Sequence, residues 1–446
     1  MPELSHDFNA HVALPRPTGA RDHHGTRCAG QVAARRNEAC GIGVAFDSKI
    51  AGVRILGGPI TTVDEASALN FGFQNVSIYS CSWGPRDDGK TMDAPKYVVR
   101  KAVVNGINYG RGGKGSIFVF ASGNGGRHGD QCNFDGYTNS IYSVTVGAVD
   151  HKGLHPTYSE SCAANMVVAY SSGSGKHIVS QSLSRYSMTH FIRSLLIDGT
   201  NVPIIMVVPL PQHPMSLVSS LSHWKPGQFS FLSGFSKCCK FCYCRPDLTW
   251  RDVQHLFVNY ARHINPEDPD WEKTASGRMF SYKYGYGVVD GYAFVMAAKT
   301  WKLVKPQAWL HTKPEPLNDG RMEKIDKKTY KYHGGVDISQ SGVENMITIT
   351  KADMDKHNLE TLEHVDVRVW ISHDRRGDIE VEVTSPNGIR SRLAARRWHD
   401  HSTHGYPGWR FMSIKHWYGF NIPQVHIYIN CWKGRESSWE LDHQGH

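Results

Sequence analysis

The chain is predicted to be an α/β protein built on a mostly parallel sheet, and two observations carry the prediction. Apolar runs of strand length alternate with stretches of helical spacing through the first third of the sequence, the pattern of parallel strands joined by crossover helices. Two of these runs also stop abruptly at turns rich in glycine and aspartate, as strands do at the carboxyl edge of such a sheet, where ligands bind. A further β-rich segment from about residue 301 to 420 gives the chain a second unit. Its 446 residues are enough for more than one substantial core.

Residues 1–22 are polar and proline-containing, a surface segment. His23-His24-Gly25-Thr26-Arg27-Cys28-Ala29-Gly30 then runs into Val32-Ala33-Ala34. The small residues after His24 suit a helix packed tightly under a sheet, with the imidazole at its N-terminal end. A histidine so placed serves equally as a structural residue or as an acid–base group. Ile50–Leu56 and Val76–Trp83 read as buried strands; Val63–Phe73 between them and Ala94–Tyr109 after them have helical spacing. Ile117–Phe120 is a strand that ends in Ala121-Ser122-Gly123-Asn124-Gly125-Gly126, and Ile141–Val149 is its parallel neighbour. Glycines on both sides of Asn124 would let a substrate backbone approach closely while the amide points outward to donate to a developing oxyanion. An Asn-Gly pair is also an ordinary turn.

Composition narrows the class. Hydrophobic content of 40% and aromatic content of 11% fit a folded globular chain rather than a disordered one. The net charge is +9, with 25 histidines, but no basic run interleaved with aromatics stands out, so no nucleic-acid partner is expected. Four of the ten cysteines crowd between Cys238 and Cys244 around a single CxxC. The others lack that spacing, which argues against a zinc ribbon and leaves disulfides or buried thiols. Met1–Asp7 has neither the basic start nor the apolar core of a signal peptide. The longest apolar run, Val202–Leu210, is too short to span a bilayer, so no transmembrane segment is expected.

On this basic background the acids are placed unevenly. Asp87, Asp88 and Asp93 follow one strand end, and Asp130 and Asp135 follow the other. Two acidic loops on one sheet edge would make a negative cleft suited to a cationic ligand, either a basic peptide side chain or a hard cation such as Ca²⁺. An acidic loop is also common on any solvated surface.

The stretches HHGTRCAG, YSCSWGPRDDGKTMD, GSIFVFASGNGGRHGDQCNFDGYTNSIY, DLTWRDVQH and YKYGYGVVD resemble the proprotein convertases, the kexin/furin-like branch of the subtilisin-like serine endopeptidases, and look closest to its type 7 member. The segment with Arg375-Arg376-Gly377-Asp378 and Thr384-Ser385-Pro386-Asn387-Gly388 resembles that family's P (Homo B) domain, a jelly-roll-like β-sandwich. The resemblance implies a subtilisin-like peptidase domain over residues 1–300 and a P domain over 301–446. It implies that His24 is the general base and Asn124 the oxyanion donor, as in the serine-protease template. Asp87 and Asp135 would line the pocket for the arginine before the scissile bond, while Glu65 and Asp93 would receive a more distant basic side chain. Asp87, Asp130 and Glu160 would hold one calcium ion; Asn37, with carbonyls around Arg35 to Gly41, would hold another. Cys132 and Cys162 would form a disulfide, implying an oxidising compartment, here the secretory pathway and Golgi lumen. Cys28 and Cys81 are expected as buried thiols. Partners would be precursor proteins with basic cleavage sites.

Two departures from that pattern bear on activity. The family's triad aspartate sits well upstream of the histidine, and only 23 residues precede His24; Asp7 matches a later piece of the pattern. From Ile178 to Cys244 the resemblance lapses, and Asp198-Gly199-Thr200-Asn201 puts an asparagine where a nucleophile is needed. The triad aspartate and serine are therefore not found, and little or no protease activity is expected. Segment 178–244 has no sustained strand or helix period and reads as unrelated to the fold. From Tyr418 onward the resemblance drifts, so the last strands of the P domain are expected to be incomplete, with exposed edges.

Overall fold

The computed structural model describes residues 1–18, 24–37, 42–177, 204–208, 245–313, 316–326, 329–339, 341–419 and 424–431. Its first unit grows from β1 (His6–Asp7), α1 (His24–Ala33), β2 (Lys49–Arg54), α2 (Thr62–Leu69), β3 (Ile78–Cys81), α3 (Tyr97–Gly113), β4 (Ile117–Ala121), β5 (Ser143–Val149) and β6 (Val167–Tyr170). Helix α1 forms because Gly25, Cys28 and Val32 recur on one face and are buried together. Helix α2 is started by a capping box in which Thr61 and Asp64 bond each other's backbone amides. Strands β3 and β5 are buried at every position, as strands covered on both faces must be.

The strands pair in parallel as β1 with β2, and as β3, β4, β5 and β6 in sequence. Between β2 and β3 lies β7 (Ile204–Val208), antiparallel to both. This corrects the expectation that segment 178–244 stands outside the fold: its apolar stretch Ile204-Ile205-Met206-Val207-Val208 has the composition of a central strand. The rest of that segment lies outside the described residues, including Asp198 to Asn201 and the Cys238–Cys244 cluster.

The unit closes with α4 (Trp250–Tyr260), β8 (Ala261–Arg262), the hairpin of β9 (Glu272–Lys273) and β10 (Met279–Phe280), β11 (Val288–Val289) and α5 (Gly291–Thr300). Strand β11 adds in parallel to β6 and antiparallel to β8, giving nine strands in the main sheet. Helix α4 is also opened by a capping box, from Thr249 and Asp252.

After an extended stretch from residue 301, the second unit is antiparallel: β12 (Arg321–Lys324), β13 (Tyr330–His333), β14 (Val343–Thr348), helix α6 (Lys351–Lys356), β15 (Val365–Ile371), β16 (Ile379–Thr384), β17 (Arg390–Ala394), β18 (Tyr406–Ser413) and β19 (Gln424–Cys431). The sheet β14-β19-β16-β17 and the pair β15-β18 bury alternate residues such as Val367, Val369 and Ile371 on one strand and Ile379, Val381 and Val383 on another, the period of strands with one face on a core. Past the point where the resemblance drifts, β19 still forms and is central, pairing with β14 and β16. One continuous hydrophobic core runs from Val53 and Phe118 of the first unit to Phe411 and Trp417 of the second.

Candidate active site

The carboxyl tip of β4 organises the site. The chain leaves Ala121 into Ser122-Gly123-Asn124-Gly125, where Gly123 has φ +107°. A Cβ on Gly123 would fall 2.3 Å from Glu160 Oε1, and one on Gly125 would fall 2.6 Å from Asp130 Cβ and 2.8 Å from Glu160 Oε1. These glycines are thus needed for the close approach of the protein's own carboxylates, a reason different from the substrate approach read in the sequence.

Three acids are gathered around this turn by backbone amides. Asp87 Oδ2 accepts from Asn124 N at 2.7 Å, Glu160 Oε1 from Gly125 N at 2.9 Å, and Asp130 Oδ2 from Gly89 N at 2.8 Å. Asp135 Oδ1 accepts from Tyr137 N at 2.7 Å, and its Oδ2 lies where a Cβ on Gly84 would be, 2.8 Å away. Glu65 accepts from the Tyr137 hydroxyl. Asp93 pairs with Asp135 through a backbone bridge and lies 3.8 Å from Lys96 Nζ. The structure therefore gathers Asp87, Asp130, Asp135 and Glu160 into one acidic cluster within electrostatic reach of one another, the candidate hollow, with Glu65 and Asp93 reached through Tyr137 and Asp135. Asn124 is exposed at its rim.

The electrostatics are those of crowded like charges. Glu160 and Asp130 are only 3% and 7% exposed. Burial, then repulsion from Asp130 and Asp87, pushes the Glu160 carboxyl well up. Burial, then the Asp87 charge, pushes Asp135 up to about 8. Burial also raises Asp87, and it raises Asp130 against the pull of the Arg397 guanidinium. A buried cluster of oxygen donors whose carboxyls all resist ionisation fits a hard cation. As placed, each carboxylate turns to a backbone amide, and among the described residues no three such side chains converge on one metal position. Asn37 donates Nδ2 to Arg35 O at 2.9 Å; residues 38–41 lie outside the described residues.

His24 begins α1, one turn from Cys28. The Cys28 thiol also bonds Ser82, just past the tip of β3, which puts this end of the helix against the carboxyl edge of the sheet. Burial, then the Arg27 charge, lowers the His24 pKa to about 4, so the ring is neutral at pH 7 and its protonated form is disfavoured as placed. Cys28 and Cys81 are buried free thiols. Cys132 and Cys162 are joined in a disulfide, each two residues beyond an acid of the hollow, Asp130 and Glu160.

The sequence reading missed the contribution of the second unit. The loop 131–139, which carries Asp135, is held by it: Asn133 exchanges hydrogen bonds with Met412, Asn139 Nδ2 donates to Arg410 O, and Gln131 exchanges bonds with Ala395. Arg397 reaches Asp130 itself at 3.0 Å. The only signal in the sequence was the arginine pair Arg396-Arg397 after an apolar stretch, which by itself names no partner.

A parallel sheet with acids gathered at its strand tips, joined to an antiparallel sandwich, defines a subtilisin-like α/β protein with an appended β domain. Residues 3–193 match the "Subtilase family" and residues 362–419 the "Proprotein convertase P-domain". The chain belongs to the kexin-like proprotein convertases of the subtilase family. It is 44% identical to the "Kexin" of Candida albicans (strain WO-1) over 97% of this chain and 42% of that protein. To the "Proprotein convertase subtilisin/kexin type 7" of Mus musculus it is 37% identical over 93% of this chain and 49% of that protein. The fungal kexin is thus more similar than the type 7 convertase that the motifs suggested. The chain spans about half the length of these relatives. In fold it is similar to a serine protease of Aeromonas sobria, with a TM-score of 0.68 at 17% identity, covering 96% of this chain and 77% of that one. Among the described residues no helix is long and apolar enough to cross a membrane.

Proposed function

We propose that the chain carries the machinery of a calcium-dependent serine endopeptidase that cleaves precursor proteins after basic residues in the secretory pathway and Golgi lumen. Its peptidase unit would run to about Thr300 and its P domain from there on. The observation that carries this reading is the hollow of Asp87, Asp130, Asp135 and Glu160 beside Asn124, whose crowded charge favours a guanidinium or ammonium guest. In this reading Asp87 and Asp135 take the basic side chain next to the scissile bond, and Glu65 and Asp93 one further away. His24, neutral at pH 7, takes and returns the proton, and the Asn124 amide donates to the oxyanion. Asp87, Asp130 and Glu160 would hold a calcium ion, and Asn37 with nearby carbonyls another. The ion would supply positive charge that lets these buried carboxyls ionise.

A second reading concerns the chain as given. The sequence retains the acids of the hollow but has Asn201 after Gly199-Thr200, where the family pattern calls for a nucleophile, so we infer that this chain captures basic peptides without cleaving them. Incubation with a fluorogenic Arg-X-Lys-Arg peptide and Ca²⁺ tests both. Binding without turnover, weakened by Asp87→Asn, is expected. Turnover abolished by His24→Ala overturns the inference of inactivity, and peptide binding indifferent to Asp87→Asn overturns the assignment of the hollow.

A further inference from the structure

We propose that Arg397, a residue of the β-sandwich, is a positioning residue for the acidic hollow of the other unit. The proposal rests on the reading of that hollow as a basic side-chain site. Just past β17, Ala395 is fixed by exchanged hydrogen bonds with the Gln131 side chain, at 2.8 and 2.9 Å. Arg397 follows with its side chain 1% exposed, its guanidinium 3.7 Å from the centre of the Phe134 ring. One of its nitrogens donates to Asp130 Oδ1 at 3.0 Å and to Thr91 O at 2.8 Å, and the other to Asp400. Arg376 stands beside it, donating to Asp400 Oδ2 at 2.7 Å and to Lys90 O at 2.8 Å.

These contacts form a chain of restraint. Asp130 is held at both oxygens: Oδ1 accepts from Arg397 and from Gln131 N, and Oδ2 accepts from Gly89 N. The loop after β3 is therefore pinned at three successive residues, Gly89 through Asp130, Lys90 through Arg376 and Thr91 through Arg397. That loop carries Asp87, which in turn accepts from the backbone N–H of Asn124. Planar guanidinium groups that are buried and make several hydrogen bonds orient their partners more firmly than a point charge does. A guanidinium from the sandwich thus sets where the pocket acid stands.

The alternative, that Arg397 is simply a resident cation competing with the guest, predicts the opposite sign. Both are separated by Arg397→Gln and by the charge-balanced pair Arg397→Gln with Asp400→Asn, which serves if the single variant does not fold. Binding of the tetrapeptide amide acetyl-Arg-Val-Lys-Arg in Ca²⁺ is measured by calorimetry, and amide exchange by mass spectrometry. The expected result is affinity weaker by about tenfold or more, with faster exchange confined to residues 87–91 and 123–125 while β4 and β5 stay protected. Unchanged or tighter binding overturns the proposal, as does exchange that rises throughout the molecule. If the unaltered protein binds no peptide, the reading of the hollow fails, and the exchange pattern alone decides the role of Arg397.

Discussion

Glu363→Gln tests whether the two units are locked by charge. Glu363 lies just before β15 and accepts from Arg251 of α4 through one guanidinium edge, from Nε at 3.0 Å and from Nη2, and from His255 Nε2 at 2.7 Å. The side chains are 10%, 13% and 4% exposed respectively. Burial pushes this carboxyl up, but the bonds from His255 and Arg251 outweigh it and hold the pKa at about 2, down from 4.5. A depression of this size is worth about 3 kcal/mol of folding stability, similar to the cost of stranding one partner of a buried pair. Because the folded pKa is depressed, the contribution is complete above pH 4.5 and lost as the pH falls toward 2. His416, which burial lowers to about 4, also costs stability as pH falls from 6.5, equally in both proteins; His364, lowered to about 4 by burial against the attraction of Glu363, costs the variant more, which widens the gap, so a narrowing below pH 4.5 belongs to Glu363. Urea unfolding of both proteins at pH 7 should give a gap of about 3 kcal/mol, shrinking below pH 4.5. A gap under about 1 kcal/mol at pH 7, the size of a surface pair, or one undiminished at pH 3, refutes the reasoning.

Two further outcomes are expected. Asp135, raised to about 8 by burial and then by Asp87, favours the folded state most when protonated, a contribution present below pH 3.8 and lost as pH rises through 8. Melting in chelator should therefore fall from pH 5 to 8, Asp135→Asn should flatten that fall and abolish peptide binding, and Ca²⁺ should raise the melting temperature more at pH 8 than at pH 5. Replacing Cys132 and Cys162 by serine removes a link across a sequence separation of 30, at a cost of about 3–4 kcal/mol. It should also weaken peptide binding by freeing the loops of Asp130 and Glu160, and binding unchanged in the folded variant would show that the hollow does not depend on the link.

The legible part of the structure was its local grammar. Strands β2 to β5 and helices α1 to α3 fall on the apolar runs and spacings that announce them, because strand and helix periods are properties of neighbouring residues. The turn at Asn124 was legible as a site, but the need for its glycines was not, since Glu160, which crowds both of them, lies 35 residues beyond Gly125 in sequence and no local pattern encodes that. Strand β7 was overlooked for a related reason: a single apolar run inside an unpatterned segment gains its meaning only from the gap between β2 and β3 that it fills.

By itself, then, the sequence determined strands β2 to β5 and helices α1 to α3, the acids at two strand ends and a histidine at a helix start, and the resemblance it carries implied the half-cystines. The tertiary structure alone decided that the acids share one hollow and that an arginine 267 residues further along the chain stands against one of them. The division has a physical cause. Backbone conformation is set by each residue and its neighbours, whereas a buried charge must find its partners in space, and the chain places no limit on how far along it they come from.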